Sequence, residues 1–212
     1  MAAKSKAQEI VFIVDDDERL REALARLLLS VGLEAQLYAT PKEFLASELP
    51  DIPSCLVLDI RLPGMSGLDF QAELGNASIN IPIIFITGYG DIPMSVKAMK
   101  AGAVEFLTKP LRDEDLLDAV RTGLARDRAR REQQSTHSDL QSRFETLTTR
   151  EKEVMTFVAA GLMSKQIAAK MELAEVTVKF HRGHIMRKME ARSLADLVRM
   201  AESLRIHQKK PA

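Results

Sequence analysis

The chain has 212 residues, 46% hydrophobic and 28% charged, with 30 basic residues balancing 30 acidic ones. That composition is globular, and at roughly 100–200 residues per domain it admits one large domain or two small ones. No apolar run approaches the ~20 residues of a membrane span, the start lacks a secretory apolar core, and one cysteine excludes an internal disulfide, so a soluble, cytoplasmic protein with no membrane partner is expected.

In the first half, short apolar runs recur. Val11-Phe12-Ile13-Val14, Leu56-Val57-Leu58 and Ile83-Ile84-Phe85-Ile86 suit strands buried on both faces of a parallel sheet. Weaker strands fall near Ala35–Tyr38 and Val104–Leu107. Between them lie helical patterns: Leu20, Leu24, Leu27 and Leu28 before Gly32, a capping-box spacing at Thr40-Pro41-Lys42-Glu43, and Val96 and Met99 before Gly102. A further helix follows Asp113. Five strands alternating with five helices predict a doubly wound α/β domain over residues 1–125.

In such a sheet, residues just past the carboxyl ends of the strands line the ligand crevice. The first strand ends in Asp15-Asp16-Asp17, the third in Asp59, the fourth in Thr87-Gly88 and the fifth in Thr108-Lys109-Pro110. Crowded carboxylates repel and call for a proton or a cation, and their hard oxygens suit Mg²⁺. An ionised aspartate beside such an ion can act as a nucleophile toward a phosphoryl group, whose oxygens a lysine and the metal can neutralise.

These residues, together with Pro63-Gly64-Met65-Ser66-Gly67 after Asp59, resemble the receiver domain of two-component response regulators over about residues 9–125. The resemblance implies that Asp59 accepts a phosphoryl group from a sensor histidine kinase. It implies that Asp16, Asp59 and the carbonyl of Arg61 bind Mg²⁺, with Asp15 acting through water. Lys109 then pairs with the phosphoryl group and precedes a cis proline. Thr87 and Phe106 match the switch pair, and Arg61 and Tyr89 flank the site. The surface that responds is the fourth helix, fifth strand and fifth helix, through which relatives dimerise. Phosphatases that use aspartyl phosphate place a second aspartate two residues after the nucleophile; here that place is Arg61.

Charge then changes sign along the chain. Residues 1–125 hold 12 Lys/Arg against 19 Asp/Glu (net −7), residues 126–143 hold 5 against 3 (net +2), and residues 144–212 hold 13 against 8 (net +5). The helix after Asp113 loses its apolar face beyond Leu124, so residues 126–143 are expected to be a polar linker, either an extended helix or a tether.

Only helical patterns follow. Thr148 and Glu151 form a capping box, Val154, Phe157 and Val158 an apolar face, and Gly161 a stop. Ser164 opens a second helix with Ile167 and Ala168 inward. After Glu172-Leu173-Ala174 a third helix buries Ile185, Met186 and Met189, leaving Phe180 unassigned, and Ser193 caps a fourth. Arg182, His184, Arg187 and Lys188 are expected on its wet side. Two short helices joined by a tight turn, the second one basic, form a helix-turn-helix that sets its second helix in the major groove.

Leu147-Thr148-x-Arg150-Glu151, Ala160-Gly161-x-x-x-Lys165-x-Ile167-Ala168 and Thr177-Val178-Lys179-x-His181-Arg182 resemble the LuxR-type DNA-binding domain. Joined to a receiver, the chain is similar to the FixJ/NarL family of transcriptional regulators. It is most like the FixJ members in its stretch from Ile86 to Met94. By that resemblance Thr177, Lys179, Arg182, His184 and Lys188 contact DNA, and Gly183 departs from the larger residue relatives often carry. The expectation is a non-enzymatic, phosphorylation-controlled transcription factor acting on promoter DNA as a homodimer, with RNA polymerase a further candidate partner. Two alternatives stand beside it. One is DNA binding that does not depend on phosphate. The other is a phospho-accepting protein whose output is a protein partner.

Overall fold

Strands that are apolar on both faces need cover on both faces. The computed structural model describes residues 9–88 and 90–206. In it β1 (Ile10–Val14) and β3 (Ser54–Asp59) are buried at every residue. Edge strand β2 (Glu34–Tyr38) is half exposed, and the loop after β3 holds a two-residue hairpin, β4 (Arg61–Leu62) with β5 (Met65–Ser66). The fully buried β6 (Ile83–Thr87) and the edge strand β7 (Glu105–Thr108) complete a five-stranded parallel sheet in the order β2–β1–β3–β6–β7.

The helices are α1 (Glu18–Ser30), α2 (Pro41–Ala46), α3 (Gly67–Asn76), α4 (Ile92–Lys100) and α5 (Asp113–Glu145). Phe12, Val14, Leu56, Leu58 and Phe85 pack on one face with Phe44, Phe70, Leu74 and Ala98 of α2, α3 and α4. Val11, Ile13, Val57, Ile84 and Ile86 pack on the other with Leu24 and Leu28 of α1 and Leu116, Val120 and Leu124 of α5. Cys55 belongs to this second layer, where burial pushes its thiol well up, so it is an inert core group. The chain runs from β1 to β2 on one side and to β3 on the other. The sheet therefore has its topological switch between β1 and β3, where a ligand crevice opens.

The chain divides into two compact units, Met1–Arg131 and Glu132–Ala212. Helix α5 continues without interruption from the first into the second. Residues 124–145 contain no glycine or proline and are rich in Arg, Ala, Glu and Gln. Residues 124–134 are mostly good helix formers, and although 135–139 are weaker ones and 132–139 are all exposed, no glycine or proline interrupts the helix. A buried ion cluster roots α5 in the first unit. Asp127, 1% exposed, accepts from the Ser54 N–H at 3.0 Å, from Arg130 Nη2 at 2.6 Å and from Arg131 Nε at 2.6 Å. Arg131 also pairs with Asp51, and Arg128 with Glu9.

The second unit packs α6 (Thr149–Ala159), α7 (Ser164–Met171), α8 (Glu175–Lys188) and α9 (Leu194–Ser203) around Val154, Met155, Ile167, Val178, Ile185, Met189 and Leu197. The capping box at Thr148 and Glu151 forms, Gly161 takes φ +80° just past α6, and Ser193 caps α9. No helix among the described residues is long and apolar enough to cross a membrane.

Candidate functional site

At the switch point β1 delivers Asp15 and Asp16, β3 ends on Asp59, and the turn after β7 delivers Lys109. Lys109 Nζ lies 2.8 Å from Asp15 Oδ2 and 2.8 Å from Asp59 Oδ2. The other oxygens are held by the main chain. Asp15 Oδ1 accepts from the Asp17 N–H at 2.9 Å, and Asp59 Oδ1 from the Arg61 N–H at 3.1 Å. The peptide bond between Lys109 and Pro110 is cis. Asp17, the third member of the acidic run, turns away to cap α1 by accepting from the N–H groups of Arg19 and Leu20.

Asp15 and Asp59 are buried while Asp16 is exposed, and carboxylate oxygens of all three lie within 4.8 Å of one another. Burial pushes the Asp15 carboxyl up, against the lowering effect of Lys109 and of the Asp17 N–H. Burial draws Lys109 down, but its bonds to Asp15 and Asp59 outweigh that and raise it, so the lysine stays charged. Three carboxylates against one ammonium leave negative charge to be neutralised. Hard oxygens beside an exposed opening fit a small divalent cation that keeps part of its water, as Mg²⁺ does.

Gly67 lets this site close up from behind. A Cβ there would lie 2.4 Å from the Asp59 carbonyl oxygen, so only glycine lets α3 start against the backbone of the aspartate. Thr87 is fully buried at the end of β6, and Phe106 is half buried on β7. Gly90 joins them, because a Cβ at Gly90 would lie 2.8 Å from Phe106 Cε1 and 3.2 Å from Thr87 Cγ2. The expected switch pair is thus one packed group with Gly90, a residue the sequence did not single out. Tyr89, expected to flank the site, lies outside the described residues. On α4, Ile92, Val96 and Met99 are 79%, 44% and 43% exposed, forming an outward apolar stripe at helical spacing.

In the second unit the expected DNA contacts divide. Lys179 is exposed on α8, 2.8 Å from Glu175, and Thr177, two residues earlier, is half buried. Arg182 donates to Ser164 Oγ at 2.9 Å, tying α8 to the start of α7. Lys188 and His184, expected on the wet side, are each about a third exposed and turn toward Glu151. Lys188 Nζ lies 2.7 Å from Glu151 Oε2 and donates to the Thr146 carbonyl, and His184 Nδ1 lies 3.5 Å from Glu151 Oε1. The reason is Glu151, a carboxylate only 3% exposed, which needs a cation. Burial acts to raise its carboxyl, but Lys188 and the Thr148 cap outweigh it and hold the group down at about 2. The outward side of α8 carries Val176, Lys179, Phe180, Gly183 and Arg187.

Residues 11–121 match the family described as response regulator receiver domain, and residues 145–201 the family of bacterial regulatory proteins, luxR family. The chain is 59% identical over 203 residues to nodulation protein W of Bradyrhizobium diazoefficiens, covering 96% of this chain and 89% of that one. It is 42% identical over 192 residues to the transcriptional regulatory protein FixJ of Rhizobium meliloti, covering 90% of this chain and 94% of that one. Among solved structures, response regulator StyR superposes with a TM-score of 0.83 at 49% identity, covering 92% of this chain and 99% of that one.

Proposed function

Since the chain belongs to the two-component response regulators that join a receiver domain to a LuxR-type DNA-binding domain, we propose that phosphorylation of Asp59 switches it to a DNA-binding dimer. It is a transcriptional regulator, with a histidine kinase and DNA as its partners. The observation that carries the Asp59 assignment is the shared Lys109 ammonium, 2.8 Å from both Asp15 and Asp59.

One oxygen of Asp59 attacks phosphorus of a phosphohistidine on the kinase. The P–N bond breaks, the imidazole takes a proton, and an aspartyl phosphate remains. Asp16, Asp59 and the carbonyl of Arg61 would hold Mg²⁺ directly and Asp15 through water; when bound, the ion supplies positive charge to the phosphoryl oxygens. Lys109 provides a second positive group there. The chain accepts and holds the phosphoryl group, and transforms no separate substrate.

The added group brings about −1.5 to −2 charges and three strong acceptors into a nearly buried pocket. Thr87 turns toward it and the Phe106 ring follows, altering the surface of α4, β7 and α5. The apolar stripe of Ile92, Val96 and Met99 supports dimerisation through that surface. A dimer sets two α8 helices about one DNA turn apart, roughly 34 Å. Lys179, Arg182 and Thr177 are the DNA contacts retained from the sequence, with residues 1–125 as receiver, 126–143 as linker and 144–212 as DNA-binding domain. We place the protein in the cytoplasm, acting on promoters with RNA polymerase as a downstream partner.

Binding to random-sequence duplex at rising salt tests the DNA arm. Affinity that collapses steeply with salt, yet leaves sequence-specific binding at physiological salt after phosphodonor treatment, supports this reading. Specific binding that is equal with and without phosphodonor, or no specific binding at all, refutes it.

A further inference from the structure

The face that α8 turns outward is not the one its basic residues suggest. Val178, Ile185 and Met189 are fully buried and define the inward direction. At about 100° per residue, Val176, Phe180, Gly183 and Arg187 all fall within about 40° of the opposite direction. Lys179 and Thr177 lie on the flanks. Two large apolar side chains thus stand within about 20° of the most outward direction of a helix in a DNA-binding unit, Val176 at 72% and Phe180 at 61% exposure. Leaving them in water forgoes the burial that drives folding, and the rest of the unit leaves both largely uncovered. The Phe180 ring is also held in place, its centroid 4.1 Å from that of His184.

Gly183 adds an independent observation. A Cβ built there meets nothing within 4 Å, and its φ is not positive. The domain's own packing therefore does not demand glycine, while glycine inside a helix costs about 1 kcal/mol relative to alanine. What the missing side chain provides is room on the outside, between Phe180 and Arg187.

We propose that Val176 and Phe180 are specificity-determining residues that pack on thymine C5-methyl groups in the major groove, and that Gly183 lets the α8 backbone approach the base edges closely enough to seat them. The proposal rests on the DNA-binding reading of the second unit. Thymine alone of the four bases carries a methyl group in that groove, and an apolar side chain recognises it without hydrogen bonds. The early residues of a recognition helix are those that reach base edges, and Val176 and Phe180 both lie in its first half.

The test uses the full chain, phosphorylated with acetyl phosphate. A duplex is first selected from random DNA by the wild type. Each thymine is then replaced singly by deoxyuridine, which removes only the C5-methyl. At one or two positions per half-site the wild type should lose about fourfold in affinity, the value of burying one methyl-sized group. Phe180→Ala should bind the all-thymine duplex more weakly and be indifferent to deoxyuridine at one of those positions. Gly183→Ala should fold at least as stably, yet lose about tenfold in specific affinity, within the range of one good base contact. Selection of a clear sequence with no deoxyuridine penalty, or with the same penalties in Phe180→Ala, overturns the thymine contact. Undiminished specific affinity in Gly183→Ala overturns the close approach. Failure of the wild type to select any sequence refutes the DNA-binding reading itself.

Discussion

Replacing Glu151 by glutamine probes the pair that fixes the start of α6 to the end of α8. The side chain keeps an acceptor for the Thr148 N–H, now 2.8 Å from Glu151 Oε2, but loses the charge that faces Lys188 at 2.7 Å. The carboxyl is held at about 2 against an ordinary value of 4.5, in a group only 3% exposed. A depression of that size corresponds to about 3 kcal/mol of stability for the second unit. Because the folded value lies below the unfolded one, the contribution is complete above about pH 4.5 and is lost as pH falls toward about 2. At pH 3 less than half of it should remain. Urea unfolding of the full chain, followed by amide exchange in α6 and α8, should show Glu151→Gln less stable by about 2–3 kcal/mol at pH 7. The gap between variant and wild type should at least halve by pH 3. A gap under about 0.5 kcal/mol at pH 7, or one that does not shrink on acidification, would refute the assignment of Lys188 to Glu151.

Asp127→Ala removes the acceptor of the Ser54 N–H and both arginine pairings, and should destabilise the first unit by about 3 kcal/mol in urea unfolding; a loss under about 1 kcal/mol contradicts the clamp. It should also speed amide exchange in residues 126–131, and unchanged protection there counts against it. Val96→Asp, on the exposed stripe of α4, should leave phosphorylation intact while keeping the phosphorylated protein monomeric in light scattering; normal dimers would move the interface elsewhere. Thr87→Ala should still accept one phosphoryl group but lose most of the accompanying dimerisation, and a full response would uncouple Thr87 from the switch.

What the sequence made legible was local. Apolar runs mark the buried strands, and each strand carries its functional residue at its last position or immediately after it, so Asp15, Asp59, Thr87 and Lys109 stand out together. The Thr148–Glu151 box and the Gly161 stop were similarly contained within a few residues. Pairings across long separations were not legible. Glu151 meets Lys188 37 residues away, and Asp127 meets Ser54 73 residues away, so the sequence shows neither the buried partner of Lys188 nor the clamp that Asp127 makes at the start of the linker. Periodicity also marks a helix without saying which neighbour covers its apolar face. Val96 and Met99 read as helix markers and lie outward, and Phe180 likewise points away from the core. The α5 extension carries no apolar period across residues 132–139, because that exposed segment packs on nothing that would call for an apolar face. Gly90 escaped because its role lies in what a side chain there would strike.

The most direct test is to incubate the full chain with Mg²⁺ and acetyl phosphate, beside Asp59→Asn, and measure intact mass together with light scattering. One added phosphoryl group and a rising dimer fraction in the wild type, with neither in the variant, is the predicted result. No mass gain in the wild type under conditions that preserve acyl phosphates, or an equal gain in Asp59→Asn, would contradict the central role given to Asp59.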